Sequence, residues 1–159
     1  MKDNKVRVAI IGVGNCASSL VQGVEYYRAA DEHKFVPGLM HVNLGGYHVR
    51  DIVFRAAFDV DANKVDTDLA EAIFAPPNNT CRFGEVPPAN VRVPRGMTHD
   101  GVGKYLHGKI HKAPGPTADI VETLRSSHTD VVVSYLPVGS EMATKWYVEQ
   151  VLAAGCAFV

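Results

Sequence analysis

The chain has 159 residues, 47% hydrophobic and 21% charged, with a formal net charge of −1. That is the composition of one globular domain, residues 1–159. Such a domain buries about 70% of its unfolded surface and needs no disulfide staple. Near-zero charge provides no overall field for nucleic acid or an acidic membrane, and no run reaches the ~18 apolar residues of a membrane span.

Cys16, Cys81 and Cys156 are scattered, with no C-x-x-C spacing. This pattern reads as reduced thiols and a cytoplasmic address. The apolar run after "MKDNK" is too short and too soon broken for the core of a signal peptide.

"KVRVAII", residues 5–11, has the β-branched, apolar character of a buried strand. Residues 15–29 then place Ala17, Leu20, Val21, Val24 and Tyr27 at helical spacing. A loop insertion follows over 30–51, marked by Pro37-Gly38 and Gly45-Gly46. "IVFRAAFD", 52–59, is the second strand, and 60–75 reads as a second helix with Val65, Leu69 and Ile73 on one face. Residues 76–116 are prolyl and irregular, with room for a short strand in "NVRVPRG" and a weak helix in "DGVGKYLHGKI".

Patterning sharpens again at 118–128, a helix with Thr117 as its expected N-cap and Asp119 in the first turn. "DVVVSYL", 130–136, is the clearest strand, and Ser140 is placed to cap a last helix carrying Ala143, Trp146, Tyr147 and Val151. A further strand begins at Ala157. Alternating strands and helices predict an α/β fold, a Rossmann-like doubly wound parallel sheet. The apolar ending "VLAAGCAFV" reads as that sheet truncated at its C-terminal end, inside a larger protein.

Gly12-Val13-Gly14-Asn15-Cys16-Ala17 is G-x-G-x-x-A, set between a strand and a helix. In that context the first glycine allows a tight turn. The second lets a diphosphate approach the backbone, and the alanine lets helix and strand pack closely. A strand–helix turn that merely tolerates glycine would share this pattern. The motif also calls for an acid at the end of the second strand to hold the adenosine ribose. Asp59 stands there, 45 residues after Gly14 rather than the usual ~20, with the 30–51 insertion as the visible source of the surplus. An aspartate repels a ribose 2′-phosphate, which favours NAD over NADP. The alternative is a strand-end acid that caps the next helix.

"SYLPVGSE", 134–141, follows the strongest strand, on the sheet edge where ligands of open α/β sheets collect. Ser134, Tyr135, Leu136 and Pro137 are candidates there. His107 and His111 have i, i+4 spacing but no third ligand, so no metal site is assigned. Arg92, Arg95, Lys104, Lys109 and Lys112 form a basic stretch that reads as a solvated face, with a hold on a substrate phosphate as the alternative.

Taken together, "VRVAIIGVGNCASSLVQGVEYY", "VPGLMHVNLGGYHVRDIVFRAAFDVD", "AIFAPPNNT", "RGMTHDGVGKY" and "DVVVSYLPVGSE" resemble the amino-terminal portion of myo-inositol-1-phosphate synthase (inositol-3-phosphate synthase) of the actinobacterial and archaeal type. The resemblance runs from Val6 to Val159 and includes the insertion. It implies an NAD-dependent isomerase of inositol and phospholipid biosynthesis, homotetrameric when full length. Glucose 6-phosphate would be oxidised at C5, enolised, closed by an aldol step and reduced again to myo-inositol 1(3)-phosphate. Gly12, Val13, Gly14, Asn15 and Cys16 then match the diphosphate loop, Asp59 the ribose acid, and Ser134–Pro137 a cofactor-side loop. The catalytic lysines and substrate-phosphate pocket of that family fall in a following segment, so no catalytic residue is assigned and the portion is expected to be inactive alone. Two other readings remain open: the cofactor domain of another NAD-dependent dehydrogenase, and a non-catalytic NAD(H)-sensing module.

Overall fold

A computed structural model describes residues 4–103 and 107–159. Its centre is a parallel sheet in which β1 (Val6–Ile11) lies between β4 (Ile52–Phe58) and β5 (Val131–Ser134), with β6 (Ala157–Phe158) beyond β5. Side chains alternate across a strand, so β1 supplies both faces. Val8 and Ile10 pack with Ala17 and Val21 of α1 (Asn15–Tyr26). Ala9 and Ile11 pack with Ile120 and Leu124 of α3 (Ile120–Ser126) and with Tyr147 and Val151 of α4 (Glu141–Ala154). Helices thus cover both faces, and the fold is the expected α/β doubly wound sheet. Each fully buried Ile or Leu contributes about 1.5–3 kcal/mol.

The β1–β4 register carries one irregularity. Val8 pairs with Phe54 and Ala9 with Ala56, leaving exposed Arg55 as an extra residue. The slip keeps Ala57 on the face of Ile10 and Phe58 on the face of Ile11, where each is fully buried. At the end of β4, residues 94–96 run alongside in parallel. Asp59 N donates to Pro94 O at 3.4 Å, and Gly96 N donates to Asp59 O at 2.8 Å.

Three local expectations are corrected. The helix over 60–75 is reduced to α2 (Leu69–Ala72). Side chains compete with helical bonds ahead of it: Asp61 Oδ1 accepts from Asn63 N, Thr67 donates to Lys64 O, and Asp66 sits at φ +70°. Asp68 then caps α2 through Ala70 N and also accepts from Ala89 N and Val91 N.

For α3 the N-cap is Asp119, accepting from Glu122 N, whereas Thr117 Oγ1 accepts from Arg95. At α4, Ser140 holds the N-cap position without a side-chain bond, and the carboxylate of Asp100 accepts from Met142 N and Ala143 N instead. The weak helix expected in "DGVGKYLHGKI" falls partly on residues 104–106, outside the described residues.

The insertion is an anchored loop with a small hairpin, β2 (Asn43–Leu44) against β3 (Tyr47–His48), turned at Gly45-Gly46 with both φ positive. Buried His48 accepts from Arg50 N at Nδ1, so its Nε2–H donates to Ala30 O at 2.9 Å. This bond ties the end of the insertion back to its beginning, just beyond α1, before β4 begins. Among the described residues, no helix is long and apolar enough to cross a membrane.

Candidate nucleotide-binding site

The site begins where β1 turns into α1. Gly12 stands at φ +87°, and its N–H donates to Phe58 O at 2.9 Å. A Cβ there would lie 3.1 Å from Tyr135 O, so both the backbone angle and the close approach of the next strand require glycine. Gly14 differs. Its φ is −91°, it occupies the N-cap of α1, and a Cβ would meet nothing within 4 Å. The space above it is open, and among the described residues no side-chain cap bond is made at the start of the helix. The first-turn amides of α1 therefore have free donor capacity toward that space.

Between the glycines, Val13 is fixed at both backbone groups. Its N–H donates to Asp59 Oδ2 at 2.7 Å, and its carbonyl accepts from Asn78 Nδ2 at 3.0 Å. The Val13 side chain is buried in the α1 face of the core. Asn15 is clamped in turn. Its Oδ1 accepts from Asn79 N at 2.9 Å and Thr80 N at 3.1 Å, and its Nδ2 donates to Asn79 Oδ1 at 2.9 Å. The segment after α2 is thus a brace for the glycine turn.

Asp59 lies on the same side of the sheet as the glycines. Beyond Val13 N, its carboxylate accepts from Val60 N at 2.7 Å and Asp61 N at 2.9 Å, both at Oδ1. A carboxylate has about four acceptor positions, so one remains for a ligand. Lys64 Nζ is 4.0 Å from Asp59 Oδ2 and donates to Asn78 Oδ1 at 2.9 Å, with both the lysine and aspartate side chains largely buried.

These groups line one cavity of about 410 Å³. Of the residues singled out from sequence, Gly12, Gly14, Asn15, Cys16, Asp59, Tyr135, Leu136 and Pro137 border it. Val13 contributes through its backbone, and Ser134 borders a neighbouring groove with Phe158 and Val159. Burial pushes the Tyr135 phenol up, which keeps it neutral at the cavity wall.

Lys64, Asn78, Asn79, Met97 and Thr98 also border the cavity and were not singled out, and Lys109, read from sequence as part of a solvated basic face, borders it too. Lys64 was hidden inside an expected helix, and "PPNNT" carries turn chemistry whose partner lies 64 residues earlier at Asn15. Within the basic stretch, Arg92 pairs with Asp66 in solvent. Arg95 is a structural tie to Ala113 O and Thr117.

Residues 97–101 cross from the β4 side to α4 and close one wall. Tyr147 donates its hydroxyl to Met97 O at 3.1 Å, and Asp100 caps α4. The amides of Met142 and Ala143 hold the Asp100 carboxyl below its usual range. Among the described residues, no group of three His, Cys, Asp or Glu is placed to hold a metal ion.

No protein-family model matches the chain. Its sequence is 59% identical over 155 residues to inositol-3-phosphate synthase of Mycolicibacterium smegmatis, covering 98% of this chain and 43% of that protein. The chain is similar to inositol-3-phosphate synthase. The Mycobacterium tuberculosis synthase gives the same identity over 42% of its length, and that of Corynebacterium glutamicum is 54% identical over 44% of its length. The chain therefore spans less than half the length of the synthases it matches.

Among solved structures, Ari2 superposes with a TM-score of 0.79 at 35% identity, over 98% of this chain and 44% of that one. A myo-inositol-1-phosphate synthase-related protein from Thermotoga maritima has a TM-score of 0.69 at 20% identity, over 97% of this chain and 47% of that one, and shares the fold.

Proposed function

We propose that this chain is the NAD-binding portion of an inositol-phosphate synthase. The observation that carries the reading is convergence: the glycine turn, Asp59 and the 135–137 loop, far apart in sequence, border one cavity at the carboxyl edge of the sheet. The residues fit the dinucleotide. Gly14 leaves open the space that any larger side chain would fill. The first-turn amides of α1 would hold the diphosphate, and Asp59 retains one acceptor position for the adenosine ribose. Tyr135, Leu136 and Pro137 would pack against the nicotinamide side.

When bound, NAD supplies reversible hydride transfer. The chain's own part is to seat, orient and shield. Val13 and Asn15 are fixed by Asp59, Asn78, Asn79 and Thr80, so the turn is organised before a ligand arrives. For the whole protein, similarity to the synthases supports conversion of glucose 6-phosphate to myo-inositol 1(3)-phosphate by oxidation, enolisation, aldol closure and re-reduction. It also supports a homotetramer working in the cytoplasm. The share of that function assigned to this chain is the binding of NAD.

Calorimetric titration of NAD into the 159-residue chain tests the reading. Saturable one-to-one binding is expected, weakened by about 1–3 kcal/mol in Asp59→Ala through loss of buried hydrogen bonds. Equal affinity in the variant would remove Asp59 from the site.

A further inference from the structure

We infer that Lys64 is a ligand-contacting residue of this cavity, the donor that meets the sugar-edge oxygens of the bound adenosine and sets how strongly a 2′-phosphate is refused. The inference rests on the nucleotide reading above and goes beyond it, because that reading gave the sugar edge to Asp59 alone. Three of the four acceptor positions on Asp59 are already taken by the amides of Val13, Val60 and Asp61, so its first task is to hold the backbone.

Lys64 is in the opposite condition. It is 3% exposed and borders the cavity. An ammonium carries three N–H donors. Among the described residues its one hydrogen bond goes to Asn78 Oδ1, and Asp59 Oδ2 lies at 4.0 Å, ion-pair range but beyond a hydrogen bond. Donor capacity is left over in a place where burial makes unused capacity costly.

A lysine only donates, so what it meets must be an acceptor: a ribose oxygen in NAD, or the phosphate oxygens of a 2′-phosphorylated ribose. The charge also offsets that of Asp59, which otherwise repels such a phosphate. The local rule is therefore softer than an isolated aspartate imposes, and NADP remains a measurable ligand.

The test measures dissociation constants of NAD and NADP for the 159-residue chain, for Lys64→Met and for Lys64→Gln, which is neutral but able to keep the bond to Asn78. Loss of one hydrogen bond to a charged donor predicts about a tenfold weaker NAD in both variants. NADP should lose more, about thirtyfold or beyond, because it forfeits a charge-assisted contact and faces Asp59 uncompensated. Unchanged affinities, or a loss for NADP no larger than that for NAD, would overturn the assignment and reduce Lys64 to a counter-charge for Asp59. If the unsubstituted chain binds neither dinucleotide, the nucleotide reading itself falls. Lys64→Gln keeps the question open to refutation should Lys64→Met unfold.

Discussion

Gly12 and Gly14 are two residues apart and answer to different demands. Gly12 is held at positive φ with Tyr135 O at the position a Cβ would approach, so its demand is structural. Gly14 has an ordinary φ and open space, so the fold makes no such demand there, and the proposed ligand seat supplies the reason for glycine. Gly12→Ala should therefore destabilise the chain by about 1–3 kcal/mol in urea unfolding, the cost of a side chain in that backbone region. Gly14→Val should unfold near the unsubstituted midpoint and yet lose at least about tenfold in NAD affinity, because its methyls fill the diphosphate seat. A Gly14→Val chain that binds NAD normally would mean that the seat lies elsewhere. At this scale the G-x-G-x-x-A turn and the strand-end acid were legible as positions, and the structure brings Gly12, Gly14 and Asp59 to one cavity. Lys64 and Asn78 were not, because their importance comes from contacts with Asp59 and Val13 that no local pattern encodes.

Among elements, α4 is the most instructive. Its own Ser140 makes no capping bond, and a carboxylate from the 97–101 crossing does the work. Because these amides lower the Asp100 pKa in the folded state, the stabilisation is fully present above the unfolded value of about 3.9 and is lost as pH falls through the lower folded value. Asp100→Ala should melt below the unsubstituted chain at neutral pH, and the gap should narrow below about pH 4. A gap independent of pH would assign the effect to packing. Tyr147→Phe, which releases Met97 O from the same crossing, should cost about 1 kcal/mol by denaturant titration. The elements that were readable, β1, α1, β4, α3, β5 and α4, carry apolar patterning over buried positions. Residues 60–68 share the apolar spacing of a helix, but Asp61, Thr67 and Asp68 direct their side chains to the backbone and divert it into turns. Apolar spacing alone cannot weigh that competition.

At the scale of the molecule, a parallel sheet lays out the site. Because β1, β4 and β5 run in the same direction, their carboxyl ends emerge together, bringing residues 12–16, 59 and 134–137 to one edge. The strand order β4-β1-β5-β6 places the glycine turn centrally, with Asp59 to one side and Tyr135–Pro137 to the other. Ligand binding should couple to global stability: at a hundredfold excess over its dissociation constant, NAD should add about 2.7 kcal/mol to unfolding. The most direct test of the account is to follow the backbone amides of the isotopically labelled chain by NMR as NAD is added. The largest shifts should fall on Gly14, Asn15, Cys16 and Ala17 and should saturate with the calorimetric affinity. Saturable binding that leaves those amides unmoved would contradict the claim that the start of α1 grips the diphosphate.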